Sequence, residues 1–72
     1  MIYSLVEAEV RKAVANQENY DANGFVNWDF VDSDCYMSGV NKFYKNDDAY
    51  YTAFDWACYN VGIALGIKSE VA

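Results

Sequence analysis

Residues 47–66, DDAYYTAFDWACYNVGIALG, decide the fold of this 72-residue chain. Apolar side chains recur in this stretch at the spacing of a single α-helical face; they are Tyr50, Phe54, Ala57, Val61 and Leu65. Asn46 suits the N-cap of such a helix, and Gly66 suits its C-terminal cap. The sequence therefore predicts a helix over about 47–66, with this series of side chains facing the core.

A second apolar series lies on the roughly opposite face and continues one residue beyond this stretch. We call it the second stripe; it comprises Trp56, Tyr59, Ile63 and Ile67. One small core cannot cover both faces of a helix. Three coverings are open: the chain's own N-terminal residues or its segment around Trp28, a second copy of the chain, or a different partner. Trp and Tyr often anchor interfaces, so the second stripe is a candidate binding surface.

Two more helices are predicted before this one. Apolar residues recur at helical spacing from Leu5 to Val14, and Ser4 and Glu7 have the spacing of a capping box, which predicts a helix over about 4–18. Asp32 or Ser33 suits the N-cap of a second helix over about 33–45. The residues on the apolar arc of that helix are Tyr36, Met37, Val40, Phe43 and Tyr44.

The segment between these two helices alternates in polarity. Val26, Trp28 and Phe30 are separated by Asn27 and Asp29, after a turn signal at 21–24. Alternation of this kind predicts a short extended or β segment near 24–31. The alternative is that the second helix starts early, at Asn27. In either case we expect a mainly α fold in which residues 1–72 form a single small acidic domain.

The charge pattern points to a basic partner. Lys and Arg number 5 against 11 Asp and Glu, for a formal net charge of −6; every Asp lies between Asp21 and Asp55, and residues 13–41 contain no Lys or Arg. Carboxylates interspersed with tyrosines such as Tyr20 and Tyr36 suit a protein surface rich in Lys and Arg. The same charge argues against direct binding of nucleic acid. The predicted partner-binding residues are Asp29, Asp32, Asp34, Asp47, Asp48, Tyr51, Asp55, Trp56, Tyr59 and Ile63.

Several other classes of protein are disfavoured. No apolar run has the length of a membrane helix, and residues 1–4 lack the basic start of a signal peptide, so we expect a cytoplasmic protein. The chain has no His, no Gly-rich phosphate loop and no nucleophile elbow, so we expect no enzyme and no cofactor. Cys35 and Cys58 are too far apart in sequence for a typical zinc motif. Two free thiols or one disulfide between the second and third helices are both open.

Residues 21–30, DANGFVNWDF, resemble a shortened calcium-binding EF-hand loop. The resemblance implies weak candidate ligands at Asp21, Asn23 and Asp29. The pattern departs from the family, because with Gly24 at position 6 the bidentate glutamate at position 12 is replaced by Phe30. A turn without metal is the alternative.

These observations predict a non-enzymatic binding protein that occludes a basic surface of a partner macromolecule. Its small size, acidity and aromatic content are similar to those of inhibitors that bacteriophages encode against host nucleic-acid machinery, including anti-CRISPR and anti-restriction proteins that mimic nucleic acid. That similarity is one of general composition, and no motif carries it. The alternatives are a self-assembling homo-oligomeric subunit, associated through the second stripe, and a degenerate EF-hand-like calcium module.

Overall fold

The computed structural model describes residues 3–68, which form three α-helices and two short 3-10 helices. The α-helices are α1 (Tyr3–Val14), α2 (Trp28–Met37) and α3 (Asp47–Leu65), and the 3-10 helices are Gln17–Asn19 and Val40–Phe43. Within residues 3–68, β pairing is confined to an isolated antiparallel bridge between Tyr20 and Val26. The predicted mainly α, three-helix fold is confirmed. No helix in this range is both long enough and apolar enough to cross a bilayer.

The core forms where α1 packs against both α2 and α3. The predicted stripe of α3 faces it, with Tyr50, Phe54, Ala57 and Val61 buried. Leu65 was predicted to join them and is 54% exposed. The reason is length, because α3 has 19 residues and extends beyond the 12-residue α1. Asn46 caps α3 as predicted, its side chain accepting a hydrogen bond from the backbone N–H of Ala49, and Gly66 ends the helix in the left-handed conformation.

The predicted limits of the second helix were wrong. The helix α2 starts at Trp28, not at residue 33, because the side-chain oxygen of Asn27 accepts hydrogen bonds from the backbone N–H groups of Asp29 and Phe30. It ends at Met37, and Gly39 then takes a φ of 84°, which interrupts the helix predicted to run to residue 45. The early start at Asn27 is confirmed, and the predicted extended segment near 24–31 is reduced to the bridge at Val26.

This shift in the helix start changes which side chains of α2 face the core. Val31 and Cys35, one turn apart, are buried, although Cys35 was predicted to lie off the apolar arc. Met37 and Phe43 were predicted to face inward and are exposed. Both cysteines are free thiols, with Cys35 buried and Cys58 half-buried.

The first helix, predicted over about 4–18, spans Tyr3–Val14, and it ends early because Asn16 is extended and caps the 3-10 helix that follows. Its apolar side chains Val6, Val10, Ala13 and Val14 are buried. Tyr3 is already helical, so Ser4 lies inside the first turn and not at the predicted cap. After α1, the buried Asn19 joins two elements, because its amide nitrogen donates hydrogen bonds to the carbonyl of Ala13 (2.8 Å) and to the Asp34 carboxylate (2.9 Å).

Candidate functional site

The backbones of α2 and α3 do not pack as closely as either packs on α1, and the two helices meet through long side chains. The hydroxyl of Tyr51 donates a hydrogen bond to Oδ2 of Asp32 (3.3 Å), and the hydroxyl of Tyr36 donates to Oδ1 of Asp47 (3.4 Å). These contacts bring together one patch of carboxylates and phenols. We call it the acidic face; it comprises Asp29, Asp32, Tyr36, Asp47, Tyr51 and Asp55.

Tyr50 supports the acidic face from below. Its ring is fully buried and makes edge contacts with the rings of Tyr36 (centroids 5.7 Å apart) and Tyr51 (4.9 Å). Such aromatic pairs favour a defined geometry. The two surface tyrosines are therefore held on a rigid base. The hydroxyl of Tyr50 is itself buried without a hydrogen-bond partner.

Asp32 is a partly buried carboxyl of the acidic face. Its Oδ1 atom is buried without a hydrogen-bond partner. Burial raises its pKa above the usual 3.8, the hydrogen bond from Tyr51 lowers it, and the nearby charges of Asp29 and Asp55 raise it further. Asp29 and Asp55 are thus close enough to Asp32 to repel its carboxylate. A cationic partner would relieve this repulsion.

Few cations balance the acidic face. The ion pairs formed within residues 3–68 both lie on α1, between Arg11 and Glu7 (3.6 Å) and between Lys12 and Glu9 (3.2 Å). Inside that range, no Asp of the acidic face forms an ion pair. The aspartates of this surface are therefore not paired directly with the basic residues of the described part of the chain.

An open apolar groove of about 640 Å³ adjoins the acidic face. The residues that line it include Trp28, Phe54, Tyr59, Gly62, Ile63 and Ile67, with Asp55 among them. Trp28 lies against Gly62, since a Cβ atom added there would be 3.7 Å from Cζ2 of the indole. Asp55 belongs to both surfaces, because it lines the groove and its charge acts on Asp32.

The second stripe is covered only in part by the described residues of the chain. Trp28 covers α3 at Gly62, and Ile67 is partly buried against the core. Trp56, Tyr59 and Ile63 keep 55%, 66% and 65% of their surface exposed. Trp56 and Tyr59 also share a shallow apolar patch with Asp55. The segment around Trp28 therefore covers one end of the stripe and leaves the other end accessible.

Two of the predicted partner-binding aspartates are not brought into the acidic face by these contacts. Asp34 lies on another side of α2, where it accepts the hydrogen bond from Asn19. Asp48 is exposed in the first turn of α3. Sequence reasoning missed that Trp28 and Phe54 line the groove. The signal for Trp28 was available, since Trp28, Val31 and Cys35 follow helical spacing and Gly62 leaves room opposite an indole.

The residues that resemble an EF-hand loop form a turn followed by the start of α2. Oδ1 of Asp21 accepts hydrogen bonds from the backbone N–H groups of Asn23 (2.8 Å) and Phe25 (3.0 Å). This is the arrangement of an Asx turn. In the part of the chain that the structure describes, no three Asp, Glu, Cys or His side chains are grouped so that they could hold a metal ion. The candidate ligands Asp21, Asn23 and Asp29 are thus not supported by a converging geometry.

The described surface therefore presents two adjoining features, an unneutralised acidic face and an apolar groove with exposed aromatic residues. Their chemistry suits recognition of a ligand that is both cationic and apolar. Comparisons of the chain with protein-family models, with curated proteins and with solved structures found no match.

Proposed function

We propose that this protein binds a Lys- and Arg-rich surface of a partner protein and occludes it, without catalysing a reaction and without a cofactor. The observation that carries the proposal is the acidic face, where four aspartates and two tyrosines lie together and form no ion pair with the cations of residues 3–68. The carboxylates attract a basic surface and speed its encounter, and the rigid phenols provide contact area.

A protein that binds nucleic acid is the kind of partner that we favour. Proteins that bind nucleic acid expose cationic surfaces to hold the phosphate backbone. An acidic face of this kind competes for such a surface by steric occlusion and by mimicry of the charge. Inhibition of host nucleic-acid machinery in the cytoplasm, as by the anti-CRISPR and anti-restriction inhibitors of bacteriophages, is the specific form of this function that we favour.

A charge-matched pair of double variants tests the acidic face. We choose Asp29→Asn with Asp55→Asn on the face, and Glu9→Gln with Glu18→Gln away from it, so that both proteins have the same net charge. The probe is a fluorescent peptide of about ten lysines, and binding is measured by anisotropy at about 50 mM and about 300 mM NaCl. We expect the face variant to weaken binding about tenfold at low salt, against less than about threefold for the control.

The comparison between the two variants decides the outcome. A larger loss in the face variant, together with weaker binding at high salt, supports a defined acidic surface. Equal losses in both variants would show that only total charge matters and would contradict the proposal. Binding that does not respond to salt or to either variant would also contradict it.

Self-association through the second stripe is the second candidate function. It is favoured by the exposure of Trp56, Tyr59 and Ile63, which together make an apolar surface on α3. Ile67 would contribute from the end of the groove. Size exclusion coupled to light scattering, at low and at high salt, measures the mass in solution. A dimer or larger species that Trp56→Glu converts to a folded monomer would support assembly, and a monomer throughout would reject it.

A further inference from the structure

We propose that the apolar groove receives an amphipathic, basic α-helix of the partner protein. This inference rests on the proposed function and names the element of the partner that the site recognises. The apolar side chains of that helix would enter the groove, and its Lys and Arg residues would lie against Asp29, Asp32 and Asp55. In helix-in-groove binding of this type, the groove contacts apolar residues at positions i, i+3 or i+4 and i+7 of the bound helix.

The dimensions of the groove match such an occupant. Its lining on α3 runs from Phe54 to Gly66, which is 13 residues and thus about 20 Å at 1.5 Å per residue. That length accommodates about three to four turns of an incoming helix. Gly66 has no side chain and nothing lies over it, so that end of the groove stays open, while Trp28, whose indole lies against Gly62, forms a wall on the side of α2. Tyr59 and Ile63 present exposed apolar surface to the occupant.

The charge of the groove selects a basic helix over a neutral one. Asp55 lies in the lining itself, and its charge acts on Asp32, which in turn lies near Asp29. Lys68 follows Ile67 in the chain and is exposed, but it is not part of the lining, in which the charged side chain is that of Asp55. A helix whose cations are placed toward Asp55 therefore gains electrostatic energy that an uncharged apolar helix does not.

A second copy of this chain suits the groove less well. A two-fold interface centred on Tyr59, with the two α3 helices antiparallel, would place Asp55 of each copy opposite Ile63 of the other, so that a carboxylate would be buried against an apolar side chain and not against a cation. Among the helices of residues 3–68, α1 carries Arg11 and Lys12, but both are already paired with glutamates on α1. Its apolar face is buried in the core, so it cannot also fill a groove.

Two peptides of about 14 residues, made only of Lys and Leu, test this inference. In one the leucines lie on a single face of an α-helix, and in the other the same residues are shuffled so that no apolar face forms. The groove variant is Ile63→Ser, and its control is Leu65→Ser, which removes an apolar side chain exposed on the same helix but outside the groove lining. Affinity is measured by anisotropy for the full chain and for each variant.

We expect the amphipathic peptide to bind about tenfold more tightly than the shuffled one, because only it can bury its leucines. Ile63→Ser should reduce this difference in affinity between the two peptides by about fivefold, and Leu65→Ser should reduce it by less than about twofold. The variant Asp29→Asn with Asp55→Asn should weaken the binding of both peptides.

The failures of the two proposals are distinguishable. If both peptides bind equally, respond to the Asp variant and ignore Ile63→Ser, the acidic face stands and the helix-binding groove is rejected. If Ile63→Ser matters and the Asp variant does not, the cationic occupant is rejected together with the proposed function. A protein that is dimeric alone and becomes monomeric with Ile63→Ser would show that a second copy occupies the groove, which would also overturn the inference.

Discussion

Tyr50 shows at the scale of one residue how the candidate site is built at a cost to stability. Its ring contacts the two surface tyrosines, but its hydroxyl is buried with no hydrogen-bond partner. Burial raises the pKa of this phenol, so the group stays neutral at any physiological pH. A buried polar group without a partner loses its hydration and gains nothing in return.

We therefore expect Tyr50→Phe to stabilise the protein by about 1 kcal/mol, which corresponds to a rise in Tm of about 4–8 °C for a domain of this size. The matched control is Tyr44→Phe, because the Tyr44 hydroxyl is hydrogen-bonded to the backbone of Val6 and its removal should destabilise. Thermal unfolding followed by circular dichroism measures both. A loss of stability in Tyr50→Phe would mean that the hydroxyl has a partner in solution.

The burial of Asp32, opposed by its hydrogen bond from Tyr51, makes stability depend on pH. The pKa of Asp32 is raised in the fold, so its contribution to stability is full below the unfolded value of 3.8 and is lost as pH rises through the higher folded value. Tyr51 opposes this by bonding to the carboxylate. Tyr51→Phe should raise the pKa of Asp32 further and cost about 0.5–1 kcal/mol at pH 7, but little near pH 3.

Urea unfolding at the two pH values checks this prediction, with a carbon-detected NMR titration of the Asp32 carboxyl as a direct readout. Tyr36→Phe is the control, since its partner Asp47 is exposed at the start of α3. An equal loss at both pH values would show that Tyr51 acts through packing and not through the carboxylate of Asp32.

At the scale of the element, α2 determines where the acidic face lies. Its N-cap at Asn27 sets the helical phase, so that Asp29, Asp32 and Tyr36 share one side while Asp34 points to Asn19. Asn27→Ala should therefore cost about 1 kcal/mol of stability, and Ser33→Ala, inside the helix and exposed, less than about 0.5 kcal/mol. The reverse order in a denaturant titration would contradict a helix start at Trp28.

The contrast between α3 and α2 shows how far this sequence could be interpreted in advance. The long periodic pattern of α3, with its two caps, predicted its limits closely. In α2, the alternation of Val26, Trp28 and Phe30 overlaps the helical spacing of Trp28, Val31 and Cys35, and ten residues are too few for local pattern to decide between them. Packing against α1 and the cap at Asn27 decide it instead.

The candidate site could likewise be predicted only in part from the sequence. The sequence supplied its residue types, because the aspartates and tyrosines are evident from composition alone. Their grouping depends on the phase of α2 and on its approach to α3, which are tertiary properties. Asp34 was therefore predicted to join the site and lies elsewhere, while the segment around Trp28 was considered as a cover for the second stripe but Trp28 was not predicted as a wall of the groove.

At the scale of the whole molecule, the groove and the acidic face are adjoining surfaces that make different contributions to binding. The groove offers apolar area, which contributes affinity when it is buried. The face offers unneutralised charge, which contributes encounter rate and selectivity. Asp55 joins them, because it lines the groove and its charge acts on Asp32. The free protein holds these carboxylates together against their mutual repulsion, so its stability should depend on ionic strength.

We expect Tm to rise by about 2–4 °C when NaCl is increased from about 20 mM to about 500 mM, because salt screens the repulsion within the acidic face. Asp55→Asn removes part of that repulsion, so it should raise Tm at low salt and reduce the gain at high salt. Glu18→Gln, exposed in the first 3-10 helix, carries the same change in net charge and should behave as the unmodified protein. Differential scanning calorimetry across the salt series measures all three. If Tm rises equally in the three proteins, salt stabilises the fold in general, and repulsion among the aspartates of the acidic face does not lower its stability.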